Sequence, residues 1–133
     1  MTGVVADTHA TIWYLERSSA LSATASAAML SAVRSGGSIV VASITLVEIA
    51  HLVEKSRIDP DSFDRVTQAL ADPRSGFILA ALDLAVTEAL RRVPRHVVPD
   101  MPDRIIAATA LHLGLPVVSR DRKIQASAIL TIW

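Results

Sequence analysis

Four carboxylic acids in this sequence stand close to short apolar segments. Asp7, Glu48 and Asp121 each follow an apolar run within a few residues, and Asp103 begins an Ala- and Ile-rich segment. Carboxylates about 4 Å apart repel one another by roughly 4 kcal/mol at an effective dielectric constant near 20, so acids that converge need a cation to stay ionised. Hard oxygen ligands without thiolates select Mg²⁺ or Mn²⁺. Such a site activates water and holds phosphate groups.

Each acid also has a purely local interpretation. Asp7 has the position of an N-cap for the helix predicted after it. Glu48 ends Thr45-Leu-Val-Glu48, a capping-box pattern in which the glutamate reaches back to the start of its own helix. Asp103 suits the positive end of a helix dipole, and Asp121 suits a solvated turn. The shared placement of the four acids, rather than any one of them, indicates a metal site.

The segments that position these acids alternate between two types. Short β-branched runs predict strands buried on both faces: GVVA at 3–6, SIVV at 38–41, GFILAA at 76–81, PVVS at 116–119 and AILTI at 128–132. Ala- and Leu-rich segments predict helices over 8–16, 22–34, 45–55, 60–71, 84–93 and 103–113. This alternation predicts an α/β fold with a central, mostly parallel sheet of four to five strands flanked by helices.

The carboxyl ends of parallel strands meet at one edge of the sheet, where open α/β folds bind their ligands. This rule predicts that Asp7, Glu48 and Asp121 lie together. We expect the start of a helix that leads into a strand to lie at the opposite edge, which separates Asp103 from the other three. The long loop from Pro94 to Pro102 offers a way to bring that helix back over the crevice.

The composition narrows the classes of function. With 133 residues, of which 51% are apolar, the chain is predicted to form one domain over residues 1–133. Its formal net charge is zero, which argues against a general polyanion-binding surface but allows a local basic patch. The absence of cysteine excludes disulfides, thiolate zinc sites and cysteine nucleophiles. The first residues lack signal-peptide features and no apolar run has membrane-spanning length, so we expect a cytoplasmic location without membrane association.

Histidines and basic residues permit further interpretations. Glu48 and His51 have the Glu-x-x-His spacing of di-iron bundles, but a single copy in an α/β chain favours a helix-surface or core histidine. Metal-free RNA cleavage would need His9 and His96 together, and nothing in the sequence brings them together. Basic residues after position 90 form either solvated helix and turn faces or a phosphate-binding rim. The candidates for such a rim are Arg92, Arg95, Arg104, Arg120 and Arg122.

Four ordered segments resemble a known family. VVADTHATIWYL is similar to the opening strand and Asp-Thr-His-x-x-x-Trp segment of PIN-domain nucleases, and SITLVEIAHL to their Ser-x-x-x-x-Glu helix. DMPDRIIAATALHLGLPVVSRD is similar to their Asp-Pro-x-Asp-Arg helix and Ser/Thr-x-Asp strand end, and ILTIW closes the pattern. Over nearly its whole length the chain resembles the PIN-domain nucleases, and within them the VapC-type toxins of VapBC toxin–antitoxin pairs.

The resemblance implies a PIN-like three-layer fold and an acidic quartet that binds one or two Mg²⁺ or Mn²⁺ ions. By that resemblance the metal ligands and catalytic residues are Asp7, Glu48, Asp103 and Asp121. The family fold would also bring Asp103 into the crevice.

Three further residues match positions near the metal in that family. Thr8 and Ser119 sit where the family has hydroxyl residues beside the ion. Asp100 matches the extra acid of the subgroup that reads Asp-Pro-x-Asp-Arg. Because the proline stands one place later in this chain, Asp100 is expected only to support the site.

The resemblance also implies an activity and partners. It implies an Mg²⁺- or Mn²⁺-dependent endoribonuclease that hydrolyses RNA phosphodiester bonds by in-line attack of metal-activated water. The implied partners are an RNA substrate (tRNA, rRNA or mRNA), a second copy of the chain in a homodimer, and a cognate antitoxin whose tail occupies the crevice. The alternative is a catalytically inactive PIN-like domain that binds RNA or a protein partner.

Three other classes fit the sequence less well. A phospho-acceptor signalling domain needs an acceptor Asp at the end of its third strand and a Lys at the end of its fifth. Here Asp83 comes too late and ILTIW contains no Lys. A phosphatase with an Asp-x-Asp motif needs a second acid that Asp7-Thr8-His9 lacks. The ligand types disfavour a zinc hydrolase.

Overall fold

Five parallel strands form the centre of the computed structural model, which describes residues 1–133. The strands are β1 (Gly3–Ala6), β2 (Ser38–Ala42), β3 (Phe77–Ala80), β4 (Val117–Val118) and β5 (Thr131–Ile132). Their order in the sheet is β3-β2-β1-β4-β5, so the central strand β1 has a parallel neighbour on each side. The predicted α/β fold is confirmed, and all five strands are parallel.

Helices cover both faces of this sheet. They are α1 (Thr8–Glu16), α2 (Ala23–Arg34), α3 (Ser43–Glu54), α4 (Ser62–Ala71), α5 (Leu84–Leu90), α6 (Met101–Leu113) and α7 (Arg122–Gln125). Successive strand residues point to opposite faces, so Val4 and Ala6 belong to one apolar cluster and Val5 to another. The first cluster includes buried residues of α1 to α4, and the second includes those of α5 to α7. The sheet therefore lies between two helical layers, as predicted.

Small and β-branched side chains build both clusters. Val5, Val40 and Val117 are completely buried on three adjacent strands. In α6, Ala107 and Ala108 are completely buried as well, and their small side chains let the helix approach the sheet closely. Each buried valine contributes roughly 1.5–3 kcal/mol, so few aromatic residues are needed in the core. None of the helices combines the length and the apolar character that a bilayer-spanning helix requires.

Two helices begin earlier than predicted. α3 begins at Ser43, directly after β2, whereas the sequence predicted Thr45. α6 begins at Met101 rather than Asp103, because the Asp100 side chain caps it by accepting a hydrogen bond from the backbone N–H of Asp103. Both shifts place the first turn of the helix at the carboxyl edge of the sheet.

Other differences lie at helix ends next to loops. α4 begins at Ser62 rather than Pro60, and α5 ends at Leu90 rather than Val93. α7 was not predicted. It has four residues, which is too short to show a helical period in the sequence.

The start of β1 tolerates only glycine. Gly3 has a φ of 135°, and a Cβ atom there would overlap the backbone carbonyl oxygen of Ser38 on β2. We expect Gly3→Ala to lower the free energy of unfolding by about 3 kcal/mol, because a steric clash adds to a backbone cost of ~1–3 kcal/mol. Chemical denaturation measures this change.

Gly36→Ala is the matched control. Gly36 also has a positive φ, 81°, but an added Cβ would meet nothing within 4 Å. Gly36→Ala should lower the free energy of unfolding only by the cost of the backbone conformation, about 1–2 kcal/mol. Equal losses in the two variants would contradict the predicted clash at Gly3.

Candidate functional site

A crevice opens where the order of the strands reverses. β2 pairs with one side of β1 and β4 with the other, and the register aligns Ala6 with Val41 and with Val118. The residues that follow these three strands therefore emerge at the same edge of the sheet. The chain after β1 leads toward β2 on one side, and the chain after β4 leads toward β5 on the other side. The two segments leave a binding crevice between them.

The acidic residues meet in this crevice, a cleft of about 370 Å³. Its lining residues are Asp7, Thr8, His9, Trp13, Glu48, Asp100, Asp103, Arg120 and Asp121. All four predicted ligands are among them, together with Asp100 and Thr8. We call this surface the acidic cleft.

The structure corrects the position that strand order predicted for Asp103. A helix that leads into a parallel strand runs antiparallel to that strand, so the helix begins at the carboxyl edge of the sheet. α6 leads into β4, and its first turn places Asp103 in the acidic cleft. The expectation that this helix start lies at the opposite edge was wrong. Ordinary α/β geometry is sufficient to bring all four acids together.

Asp7 is both a helix cap and a cleft residue. Its Oδ1 accepts a 2.8 Å hydrogen bond from the Ala10 N–H, which caps α1. Only 9% of the residue is exposed. Burial raises the pKa of the Asp7 carboxyl, although hydrogen bonds with Ser119 and Ala10 oppose this shift. Because a carboxylate has two oxygens, capping leaves one oxygen available to the cleft.

Glu48 is held by α1 rather than by its own helix. The Thr8 hydroxyl donates a 2.5 Å hydrogen bond to Glu48 Oε1 and lies 3.2 Å from the hydroxyl of buried Thr45. α3 already begins at Ser43, so Glu48 lies in its second turn and does not cap it. The capping-box interpretation was therefore wrong. Burial raises the pKa of Glu48, the Thr8 hydrogen bond lowers it, and the charge of Asp100 raises it further.

Asp103 has a strongly perturbed carboxyl group. Partial burial, followed by the charges of Asp100, Asp121 and Glu48, raises its pKa to about 7. Asp100 also caps α6, with its Oδ2 3.3 Å from the backbone nitrogen of Asp103. Burial makes the largest contribution to this shift, and the like charges add to it because they lie close to the Asp103 carboxyl. The electrostatics therefore agree with the geometry of the cleft.

Asp121 and Ser119 follow β4. Asp121 Oδ1 accepts hydrogen bonds from the backbone N–H groups of Lys123 at 2.8 Å and Ile124 at 3.1 Å, which makes it the cap of α7 rather than a free turn residue. The buried Ser119 Oγ accepts a 3.0 Å hydrogen bond from the Asp121 N–H and also hydrogen-bonds to Asp7. Ser119 therefore connects two acids that follow different strands.

Some cleft features were not predicted from the sequence. Thr45 supports Thr8, although the two residues are 37 positions apart. Trp13 forms a wall of the cleft with His9, their ring centroids 5.3 Å apart. The available signal was their i, i+4 spacing on a helix that begins at the crevice. His96 does not line the cleft, so His9 lacks the histidine partner that metal-free acid–base catalysis would need.

Most of the arginines proposed for a phosphate-binding rim lie outside the acidic cleft. Only Arg120 lines it. Arg104 donates hydrogen bonds from Nε to the Val93 carbonyl at 2.8 Å and from Nη2 to the Leu90 carbonyl at 3.1 Å. It ties α6 to the end of α5, so its interpretation as a free phosphate-binding group is not supported. The remaining candidates are exposed but do not line the cleft: Arg92, Arg95 and Arg122.

A sequence profile of the PIN domain matches residues 4–130. The chain belongs to the PIN-domain family. The matched range includes every acid of the cleft. Among curated protein sequences, none is significantly similar to this PIN domain.

A solved structure resembles this PIN domain along its whole length. It is a chain of the crystal structure of VapBC2 from Rickettsia felis bound to a DNA fragment from their promoter. The TM-score is 0.72 at 13% sequence identity, and the similarity covers 98% of this chain and 97% of that chain. At this identity the similarity establishes a shared fold.

The acidic cleft of the PIN domain has the donor atoms that a hard divalent cation prefers, carboxylate and hydroxyl oxygens without sulfur. No three acidic or histidine side chains in the structure stand close enough to form a ready-made metal cluster. Binding a cation would therefore require the carboxylates to turn toward one another. The raised pKa values of Asp7, Glu48 and Asp103 indicate that a positive charge in the cleft would be favourable.

Removal of the Asp103 charge should stabilise the folded chain above neutral pH. An acid whose pKa is raised by folding loses its proton more readily in the unfolded chain. Its ionisation therefore destabilises the fold as pH rises from the ordinary pKa of 3.8 through the folded value of about 7. We expect Asp103→Asn to raise the free energy of unfolding at pH 8 by about 1 kcal/mol, or ~4 °C in Tm. This figure allows for partial exposure and for the lost interaction with the helix N-terminus.

Thermal unfolding in EDTA at pH 8 and pH 4 measures this effect. The gain should largely disappear at pH 4, where Asp103 is protonated in the folded chain. Glu54→Gln, which removes an exposed carboxylate from the end of α3, is the control and should change Tm little at either pH. A lower Tm for Asp103→Asn at pH 8 would contradict the proposed repulsion.

Proposed function

We propose that this PIN domain is a divalent-cation-dependent endoribonuclease and the toxin of a toxin–antitoxin pair. The observation that supports the proposal most directly is the meeting of Asp7, Glu48, Asp103 and Asp121 in one cleft. Membership of the PIN-domain family supports nuclease activity. The similarity in fold to a chain of the VapBC2 structure supports the role of toxin.

In the proposed reaction the four acids hold one or two Mg²⁺ or Mn²⁺ ions. Such an ion would supply positive charge for a phosphodiester and acidify an attacking water. Asp7 and Asp121 are oriented by hydrogen bonds from the first turns of α1 and α7 and by Ser119. Glu48 is oriented by Thr8. These contacts fix part of each carboxylate and so preorganise the ligand set.

Asp103 controls the protonation of the cleft in this proposal. Because its pKa is raised to about 7, a large fraction of the molecules retain the proton at neutral pH. A cation binds the deprotonated carboxylate, so binding must displace this proton. Cation affinity and pH are therefore coupled through this residue.

Further properties belong to the proposal and rest on the family resemblance. The substrate is RNA, whether tRNA, rRNA or mRNA, and the cognate antitoxin is a protein that binds this chain. We also propose a homodimer and a cytoplasmic location. The acidic cleft itself contains no feature that selects among the three classes of RNA.

Cleavage of a mixed single-stranded RNA pool tests the proposed activity. The wild type should cut RNA with Mg²⁺ or Mn²⁺, and EDTA should abolish cutting. Asp7→Asn and Asp103→Asn should each lower the rate at least ~100-fold, because each removes a carboxylate from the ligand set. Electrophoresis of end-labelled RNA measures the rate.

Controls separate this outcome from its alternatives. Glu54→Gln changes an exposed acid outside the cleft and should cut at the wild-type rate. The wild type expressed alone should arrest the growth of a bacterial host, whereas Asp7→Asn should not. A folded wild type that binds the cation but cuts no RNA would favour an inactive PIN-like domain that binds RNA or a protein. Cutting that persists in EDTA would rule out the cation dependence.

Calorimetric titration with Mn²⁺ should show the competition between cation and proton. Protonation of Asp103, with its pKa of about 7, should make wild-type affinity ~10-fold weaker at pH 6 than at pH 8. Asp103→Asn should bind more weakly and with a flatter dependence on pH. Equal wild-type affinity at the two pH values would contradict the coupling of cation binding to the protonation of Asp103.

A further inference from the structure

Arg120 is the only lysine or arginine that lines the acidic cleft, and it forms no ion pair there. Five of the residues that line the cleft with it are acids. The ion pairs of this structure involve only two other arginines, Arg65 and Arg74. An exposed arginine among carboxylates has ample opportunity to pair with one of them. Its position therefore requires another explanation.

Trp13 provides that explanation. The guanidinium carbon of Arg120 lies 4.8 Å from the centroid of the Trp13 ring. Stacking uses the flat face of the guanidinium and leaves the N–H donors at its edge unpaired. Trp13 is itself packed against His9 at 5.3 Å and against Trp133 at 6.0 Å between ring centroids. An uncharged partner thus holds Arg120 without consuming its hydrogen-bond donors.

The backbone on both sides of Arg120 is also anchored. Ser119 is completely buried and hydrogen-bonds to Asp7, and Asp121 caps α7. The Arg120 side chain therefore starts from a fixed point at the edge of the cleft. Arg120 lines the same cleft as the acids.

We propose that Arg120, held on Trp13, binds the phosphodiester group of the substrate, and that Trp13 is its positioning residue. This inference rests on the proposed nuclease function and adds a contact that the acids cannot make. A phosphodiester brings another negative charge toward five carboxylates, and the Arg120 guanidinium adds positive charge at the edge of the cleft to that of the proposed cations. The planar guanidinium offers two parallel N–H donors to phosphate oxygens.

Binding of a fluorescent single-stranded oligoribonucleotide tests this contact separately from cleavage. The full chain with Asp7→Asn, in Mg²⁺, keeps the RNA intact while anisotropy is measured at several KCl concentrations. Adding Arg120→Gln should weaken binding about fivefold to tenfold. It should also reduce the slope of log Kd against log salt by ~0.7, the value for one phosphate contact on a single strand.

Arg57→Gln is the matched control. Arg57 is an exposed arginine just beyond the carboxyl end of α3, and it does not line the cleft. The substitution removes the same charge, so its Kd and salt slope should stay close to those of the Asp7→Asn parent. A loss of binding equal to that of Arg120→Gln would show that the effect depends only on net charge, and it would overturn the proposal.

A double-mutant cycle tests the positioning role of Trp13. Trp13→Leu should weaken RNA binding threefold or more when Arg120 is present and should add nothing when Arg120 is already Gln. Trp13→Phe, which keeps an aromatic face, should retain most of the binding. Equal losses from Trp13→Leu in both backgrounds would overturn the positioning role. If Trp13→Leu does not fold, Arg120→Lys replaces it, because lysine keeps the charge but loses the planar group, and it should weaken binding.

The outcomes distinguish this inference from the proposed function. An unchanged Kd and salt slope for Arg120→Gln would overturn the Arg120 contact whether or not the wild type cuts RNA. If the wild type binds RNA through Arg120 but cuts none, the contact is supported and only the proposed nuclease activity fails.

Discussion

Parallel pairing of β1 with a strand on each side is the constraint on which the acidic cleft depends. The register aligns the end of β1 with the ends of β2 and β4, so the segments after all three strands begin at one edge. A slip of one residue would turn Val4 and Ala6 toward the wrong helical layer, because side chains alternate along a strand. The two apolar clusters therefore enforce the register, and the register determines where Asp7 and Ser119 stand.

Helix N-termini at the same edge of the sheet lower the free-energy cost of placing several carboxylates close together. The N-termini of α1, α6 and α7 lie there, and their backbone N–H groups bind Asp7, Asp100 and Asp121. Helix N-termini bear partial positive charge, so each cap stabilises an anion and organises a helix at once. Burial first, and then the neighbouring acids, still raise the pKa values of Glu48 and Asp103, so this compensation is incomplete. The fold thus retains a cleft in which added positive charge is favourable.

The arginines at the cleft and at the start of α6 have different partners from the acids. Arg104 is also at the start of α6, yet its donors bind backbone carbonyls of the preceding segment and have a structural role. Arg120 stacks on the neutral ring of Trp13 and keeps its donors unpaired. The two arginines have the same chemistry, but their neighbours determine whether the charge serves the fold or faces the cleft.

By itself, the sequence determined the alternation of strands and helices, because β-branched runs and helical spacing are local patterns that need no partner. It also determined that Asp7 and Asp121 follow strands, and the rule for parallel sheets then places them together. The position of Asp103 also follows from the sequence, because a helix that leads into a parallel strand begins at the carboxyl edge of the sheet. The prediction that placed Asp103 at the opposite edge was wrong because it took the opposite direction for α6. Only the tertiary structure decided that Glu48 binds Thr8, because this contact joins residues 40 positions apart and leaves no local pattern in the sequence. Side-chain partners of this kind depend on how the helices pack on the sheet, and no local pattern of residues reveals that packing.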